Sequence, residues 1–93
     1  MDNTKIYDRL LNKYSINKQY IVAIEELSEL QKELTKALRS QGDIEHTAEE
    51  IADVEIMLEQ LKHYNSKNQL AKKVDFWKQT KIDRLKRMVN INE

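Results

Sequence analysis

Four carboxylates at regular spacing carry the chemistry this sequence suggests. Glu26 and Glu29 lie three apart in "EELSEL", Glu50 and Asp53 lie three apart in "EEIADV", and twenty residues separate Glu29 from Glu50. Residues three apart are neighbours on a helix surface, so each pair is a two-carboxylate pincer. At about 100° per residue, Glu26 and Glu50 fall at the margin of an apolar stripe, and Glu29 and Asp53 lie about 60° beyond. Carboxylates held this close repel one another, and they take up protons or bind a cation. An all-oxygen donor set suits magnesium, manganese or calcium rather than zinc. Magnesium usually binds together with substrate phosphates, so the pattern suggests a metal-assisted phosphate enzyme. Structural explanations exist for single members. Thr47 and Glu50 are spaced as a capping box, which would make Glu50 a helix cap.

The pincers need helices to hold them, and the composition supplies helices. The chain has 93 residues, one glycine (Gly42), no proline and no cysteine. Good helix formers dominate, which points to a single all-helical domain over 1–93 with a modest core. The lack of cysteine excludes a disulfide framework and a thiolate metal site. No apolar run approaches the roughly 20 residues that span a bilayer, and the N-terminus lacks the apolar run of a signal peptide. A cytoplasmic protein without a membrane partner is expected.

Apolar periodicity predicts four helices. The first covers about 4–14. The second runs from about 17 to 40 with the stripe Tyr20, Ile24, Leu27, Leu30, Leu34, Ala37 and Leu38, and Ser15 and Asn17 offer cap chemistry. Gly42 reads as its stop. The third begins at Glu45 or Thr47 and ends at Tyr64, with the stripe Ala48, Ile51, Val54, Leu58 and Leu61. Ser66 and Gln69 are spaced as a capping box for a fourth helix over about 67–90. Short connections favour antiparallel neighbours. Helices two and three therefore form a hairpin with facing apolar stripes, flanked by the N- and C-terminal helices, in a four-helix-bundle-like assembly on oligomerisation.

Charge is balanced overall and uneven along the chain. Residues 25–59 carry eleven acids and three bases, whereas 62–89 carry nine bases and two acids. Either the two segments are solvated faces that complement each other, or a cation site lies beside an anion-binding arm. Zero net charge weighs against a nucleic-acid partner.

The words "AIEELSELQKELTKALR" and "EEIADVEIMLEQL", with Glu26-x-x-Glu29 and Glu50-x-x-Asp53 inside them, resemble the two core helices of the MazG-like all-alpha nucleoside triphosphate pyrophosphatases, best in the small single-domain members of phages and Gram-positive bacteria. The likeness is good over about 17–64 and weaker into "KIDRLKRMV". It implies hydrolysis of ribo- or deoxynucleoside triphosphates between the α and β phosphates, with Mg2+, or Mn2+ in its place, held by Glu26, Glu29, Glu50 and Asp53. It also implies a homodimer or a dimer of dimers. Lys81 and Arg84, with Lys78 on the same face, resemble the basic residues that would hold the β and γ phosphates. Gln19 resembles a position suited to contact the base or sugar. Trp77, Tyr20 and Tyr64 are candidate stacking residues, and ordinary packing is the plain alternative for each. His46 and His63 read as a cap neighbour and a partner of a helix C-terminus. A helical interaction module without catalysis is the competing function.

Overall fold

The structure is a computed structural model that describes residues 2–91. The described residues form an all-α protein with helices α1 (Thr4–Lys13), α2 (Ile16–Leu38), α3 (Ile44–Tyr64) and α4 (Leu70–Met88), plus a short 3-10 turn at Ser66–Asn68. No helix among them is long and apolar enough to cross a membrane. The structure has two compact units, Met1–Leu61 and Lys62–Glu93, and each is described by itself.

Local chemistry accounts for most helix ends. Ser15 Oγ accepts from the Lys18 backbone N–H at 3.1 Å, capping α2 as expected. Asp43 Oδ1 accepts from the Glu45 N–H at 2.9 Å and starts α3 at Ile44. The Thr47–Glu50 capping box is therefore corrected: both residues lie inside α3, where the backbone N–H groups already have helical partners. The Ser66–Gln69 box is also corrected. Ser66 lies in the 3-10 turn, and Gln69, at φ 56°, precedes α4 without a side-chain cap bond.

The stop after α2 works differently from the expected glycine cap. Ser40 takes the left-handed conformation at φ 58°. The Ser40 N–H donates to Ala37 O at 3.1 Å and the Gln41 N–H to Lys36 O at 2.9 Å, the paired bonds of a Schellman ending. Gly42 has no positive φ. It serves close approach instead, because a Cβ there would lie 3.0 Å from Ala37 Cα. Asn90, at φ 59°, ends α4 in the same way, with Ile91 N–H donating to Lys86 O at 2.8 Å.

In the first unit α2 and α3 run antiparallel. Gln19 and Gln60 line one cavity, as do Val22 and Met57, and Glu26 meets Asp53, so each step forward on α2 matches an equal step back on α3. Tyr7 fixes α1 to this hairpin: its ring is buried and its hydroxyl donates to Glu59 Oε2 at 2.5 Å.

The inward face matches the expected apolar seam only in part: Val54 is buried and Leu30 and Leu61 are half-buried as expected. Gln19, Ala23, Glu33, Val54, Met57 and Gln60 are buried, whereas Tyr20, Ile24, Leu27, Leu34, Leu38, Ile51 and Leu58 are exposed, Ile24 by 63% and Leu38 by 88%. At about 100° per residue, the stripe of α2 lies about 90° round from its buried face, and Ile44, Ile51 and Leu58 are offset by the same angle and in the same sense on α3. Antiparallel helices with equal offsets turn both stripes to one side of the hairpin. Glu29 and Asp53 are offset the other way, on the opposite edge of the hairpin, and Glu26 and Glu50 lie half-buried between them and the inner face. On α2 the inner face is taken by Gln19, Ala23 and Glu33, which pack against Val54, Met57 and Gln60 of α3 rather than against a second aliphatic stripe, so the bulky aliphatics of α2 are left for another surface.

In the second unit Val74 is half-buried on α4. Phe76 and Trp77 meet edge to face with centroids 5.3 Å apart.

Candidate metal centre and adjoining pocket

Three of the four expected ligands converge. Glu26, Glu50 and Asp53 each offer a carboxylate oxygen, and these oxygens lie within 4.8 Å of one another. Glu26 and Glu50 are half-buried and Asp53 is exposed, so the cluster has a wall and an open side. Glu26 belongs to the middle of α2, and Glu50 and Asp53 to successive turns of α3. The helices deliver them because the antiparallel register sets Glu26 opposite Asp53.

The electrostatics show the strain of this grouping. Burial raises the Glu26 carboxyl above its ordinary value. The Asp53 charge, a hydrogen bond shared with Asp53, and the charges of Glu50 and Glu29 raise it further. Glu50 is raised too, by burial first and then by Asp53, Glu29, Glu33 and Glu49. Glu50 Oε2 is buried and has no hydrogen-bond partner. A buried carboxylate oxygen without a donor is costly unless a proton or a cation supplies the missing interaction. These hard oxygen donors fit magnesium or manganese.

Glu29, the fourth expected ligand, is exposed on the next turn. It adds charge to both Glu26 and Glu50 without joining the three convergent oxygens. Sequence reasoning missed Glu33. It is buried, with Oε1 3.4 Å from Lys36 Nζ and Oε2 unpartnered, and its charge also acts on Glu50. The signal was available, since Glu26, Glu29 and Glu33 follow helical three-four spacing along one edge of α2.

Gln19 lies buried in a cavity of about 440 Å³, with Leu10, Tyr14, Val22, Met57 and Gln60 around it. Tyr20 points to the exposed apolar side and does not line this cavity. The aromatic residue that does is Tyr14, just past the end of α1. Lys78, Lys81, Arg84 and Trp77 are exposed on α4 in the second unit. Tyr64 is half-buried there beside His63, with ring centroids 5.9 Å apart. His46 stands 3.8 Å from Asp43 Oδ2 at the start of α3, consistent with its reading as a cap neighbour.

No protein-family profile, curated protein or solved structure matches this chain.

Proposed function

We propose that the chain is a magnesium-dependent nucleoside triphosphate pyrophosphohydrolase of the MazG-like kind, converting (deoxy)nucleoside triphosphates to the monophosphate and pyrophosphate. The observation that carries this reading is the convergence of Glu26, Glu50 and Asp53 around an unpartnered buried oxygen of Glu50. Glu26, Glu50 and Asp53 would hold Mg2+, or Mn2+ in its place, with Glu29 at the rim. Bound magnesium would neutralise the triphosphate, polarise the α phosphate and lower the pKa of a water.

The protein's own groups supply the rest. The open side at Asp53 admits the triphosphate. A carboxylate of the cluster orients the attacking water or takes its proton. The water oxygen bonds to the α phosphorus, the bridging bond to the β phosphate breaks, and pyrophosphate departs. Lys78, Lys81 and Arg84 are the proposed grip on the β and γ phosphates, Arg as a bidentate fork and Lys as a point charge. Gln19, and Trp77 by stacking, are the proposed contacts to the nucleoside.

A second reading, assembly through helices, is favoured by the exposed stripe at Ile24, Leu27, Leu34 and Leu38. It is compatible with the first. A homodimer or a dimer of dimers, four-helix-bundle-like and cytoplasmic, would cover that stripe and leave the acidic side open. Incubation of the full chain with a panel of nucleoside triphosphates and magnesium, scored for pyrophosphate and monophosphate, tests the enzyme reading. Release of orthophosphate instead, or of nothing, rejects it and leaves the assembly module.

A further inference from the structure

We infer that the cavity between α1 and the hairpin is a nucleobase subsite, read by the carboxamides of Gln19 and Gln60, for a base whose edge sets an N–H donor beside an acceptor. The inference rests on the reading of the acidic cluster as the phosphate end of the same site, and it names how the other end of the substrate is recognised.

The cavity has a volume of about 440 Å³, within the range of small-molecule sites. Leu10, Val22 and Met57 give it apolar walls, and Tyr14 offers a ring suited to stacking on a planar heterocycle. No carboxylate lines it, and Lys18, exposed, is its one charged lining residue among the described residues. The interior therefore suits an uncharged group rather than a phosphate.

Its polar content is two buried amides. Gln60 is only 3% exposed and Gln19 only 5%. Gln60 Oε1 has no hydrogen-bond partner. Buried carbonyls normally find a donor, so a side chain this enclosed, lining a cavity with its acceptor unused, calls for an N–H from a bound molecule. A carboxamide holds an acceptor and a donor side by side. That pattern pairs bidentately with the edge of a nucleobase, as glutamine does with adenine.

Position links the cavity to the carboxylates. Gln19 precedes Glu26 by two turns on one edge of α2, and Gln60 follows Asp53 by two turns on α3. The amides thus lie about 10 Å along the hairpin axis from the acidic cluster, at a rise of about 1.5 Å per residue. A pentose joins base to phosphate across a gap of this kind. Neither Gln60 nor Tyr14 is a residue that the acidic motif would draw attention to.

The test uses nucleosides, which carry no phosphate, and the full chain without metal. Uridine, cytidine, adenosine and guanosine are titrated while the Met57 methyl and the Gln19 and Gln60 side-chain amide signals are followed by NMR. The same is done with counterparts methylated on the base edge, and with Gln60→Met, which conserves volume. The expected result is that at least one nucleoside shifts these signals at millimolar concentration and that edge methylation weakens it by about tenfold or more, the value of one hydrogen bond. In Gln60→Met that discrimination disappears while the fold melts at an equal or higher temperature. Silence of all four nucleosides at the three residues, or unchanged discrimination in Gln60→Met, overturns the inference. Because neither metal nor phosphate is present, nucleoside binding without triphosphate hydrolysis would sink the enzyme reading alone. Hydrolysis without nucleoside binding here would sink only this subsite.

Discussion

Glu26 and Asp53 face each other across the α2–α3 hairpin with carboxylate oxygens within 4.8 Å, and burial together with the Asp53 charge holds Glu26 above its ordinary carboxylate range. Glu50 is raised too, by burial and its acidic neighbours. Groups whose values are raised on folding bind more protons folded than unfolded, so in the metal-free protein Glu26 and Glu50 do so. Stability is then greatest below the ordinary carboxylate range and falls as pH rises through the raised values. Without metal, the melting temperature should drop as pH climbs from about 4 towards neutrality, on the ordinary carboxylate values as the starting point. Magnesium at millimolar concentration should recover the loss most strongly at the upper end of that window. Melting curves across pH, with and without magnesium, check this; a melting temperature that rises with pH in the metal-free protein would contradict it.

Ser40 and Gly42 make a paired prediction about the α2–α3 turn. Ser40 holds φ 58°, a conformation that glycine adopts more readily, so Ser40→Gly should stabilise by about 1 kcal/mol. Gly42→Ala should destabilise by about 1 kcal/mol or more, since the new Cβ would lie 3.0 Å from Ala37 Cα. Chemical denaturation of the two variants should move the midpoint in opposite directions.

The same turn shows what was legible in the sequence. Four helices, their order and nearly all their bounds follow from the three-four apolar pattern, because that periodicity reports a helix whatever covers it. Gly42 marks the turn correctly, but its role depends on the approach of Ala37, which no local signal contains. The direction of burial was not legible either. Tyr20, Ile24, Leu27 and Leu34 look like a seam, yet periodicity identifies a face without naming its neighbour, and Gln19, Ala23 and Glu33 occupy the inner face. The acidic centre was partly legible, because Glu50 and Asp53 lie three apart on one helix and an antiparallel hairpin sets Glu26 opposite them, whereas the Glu26–Glu29 spacing wrongly suggested Glu29 as a convergent ligand. Gln60 and Tyr14 were not, because a cavity depends on how three helices pack.

The exposed stripe predicts self-association. Ile24→Glu together with Leu34→Glu places charge in the middle of that stripe. Light scattering at micromolar concentration should find the unmodified chain as a dimer or larger and the double variant as a monomer, with the helical content kept. A monomeric unmodified chain would contradict the assembly.

Arg84 tests the basic helix. If it grips phosphate, Arg84→Ala loses a charge-assisted hydrogen bond of about 1.5–3 kcal/mol. That corresponds to a fall of about 10- to 100-fold in kcat/KM for the triphosphate. The melting temperature should hardly move, because Arg84 is exposed and surface charges contribute little to stability. Unchanged kinetics would return Arg84 to the solvated face of α4.

Pyrophosphate release by the unmodified chain and by Glu50→Gln, with magnesium and a nucleoside triphosphate, tests the central claim most directly. Glu50 lies inside α3, beyond any capping role, and its Oε2 is buried without a partner, so the claim gives it one task, that of holding a cation. The account predicts magnesium-dependent pyrophosphate from the unmodified chain and a loss of about 100-fold or more in the variant, in keeping with several kcal/mol of charge stabilisation. The variant should fold at least as well without metal. Equal rates of pyrophosphate release from the two proteins would contradict it.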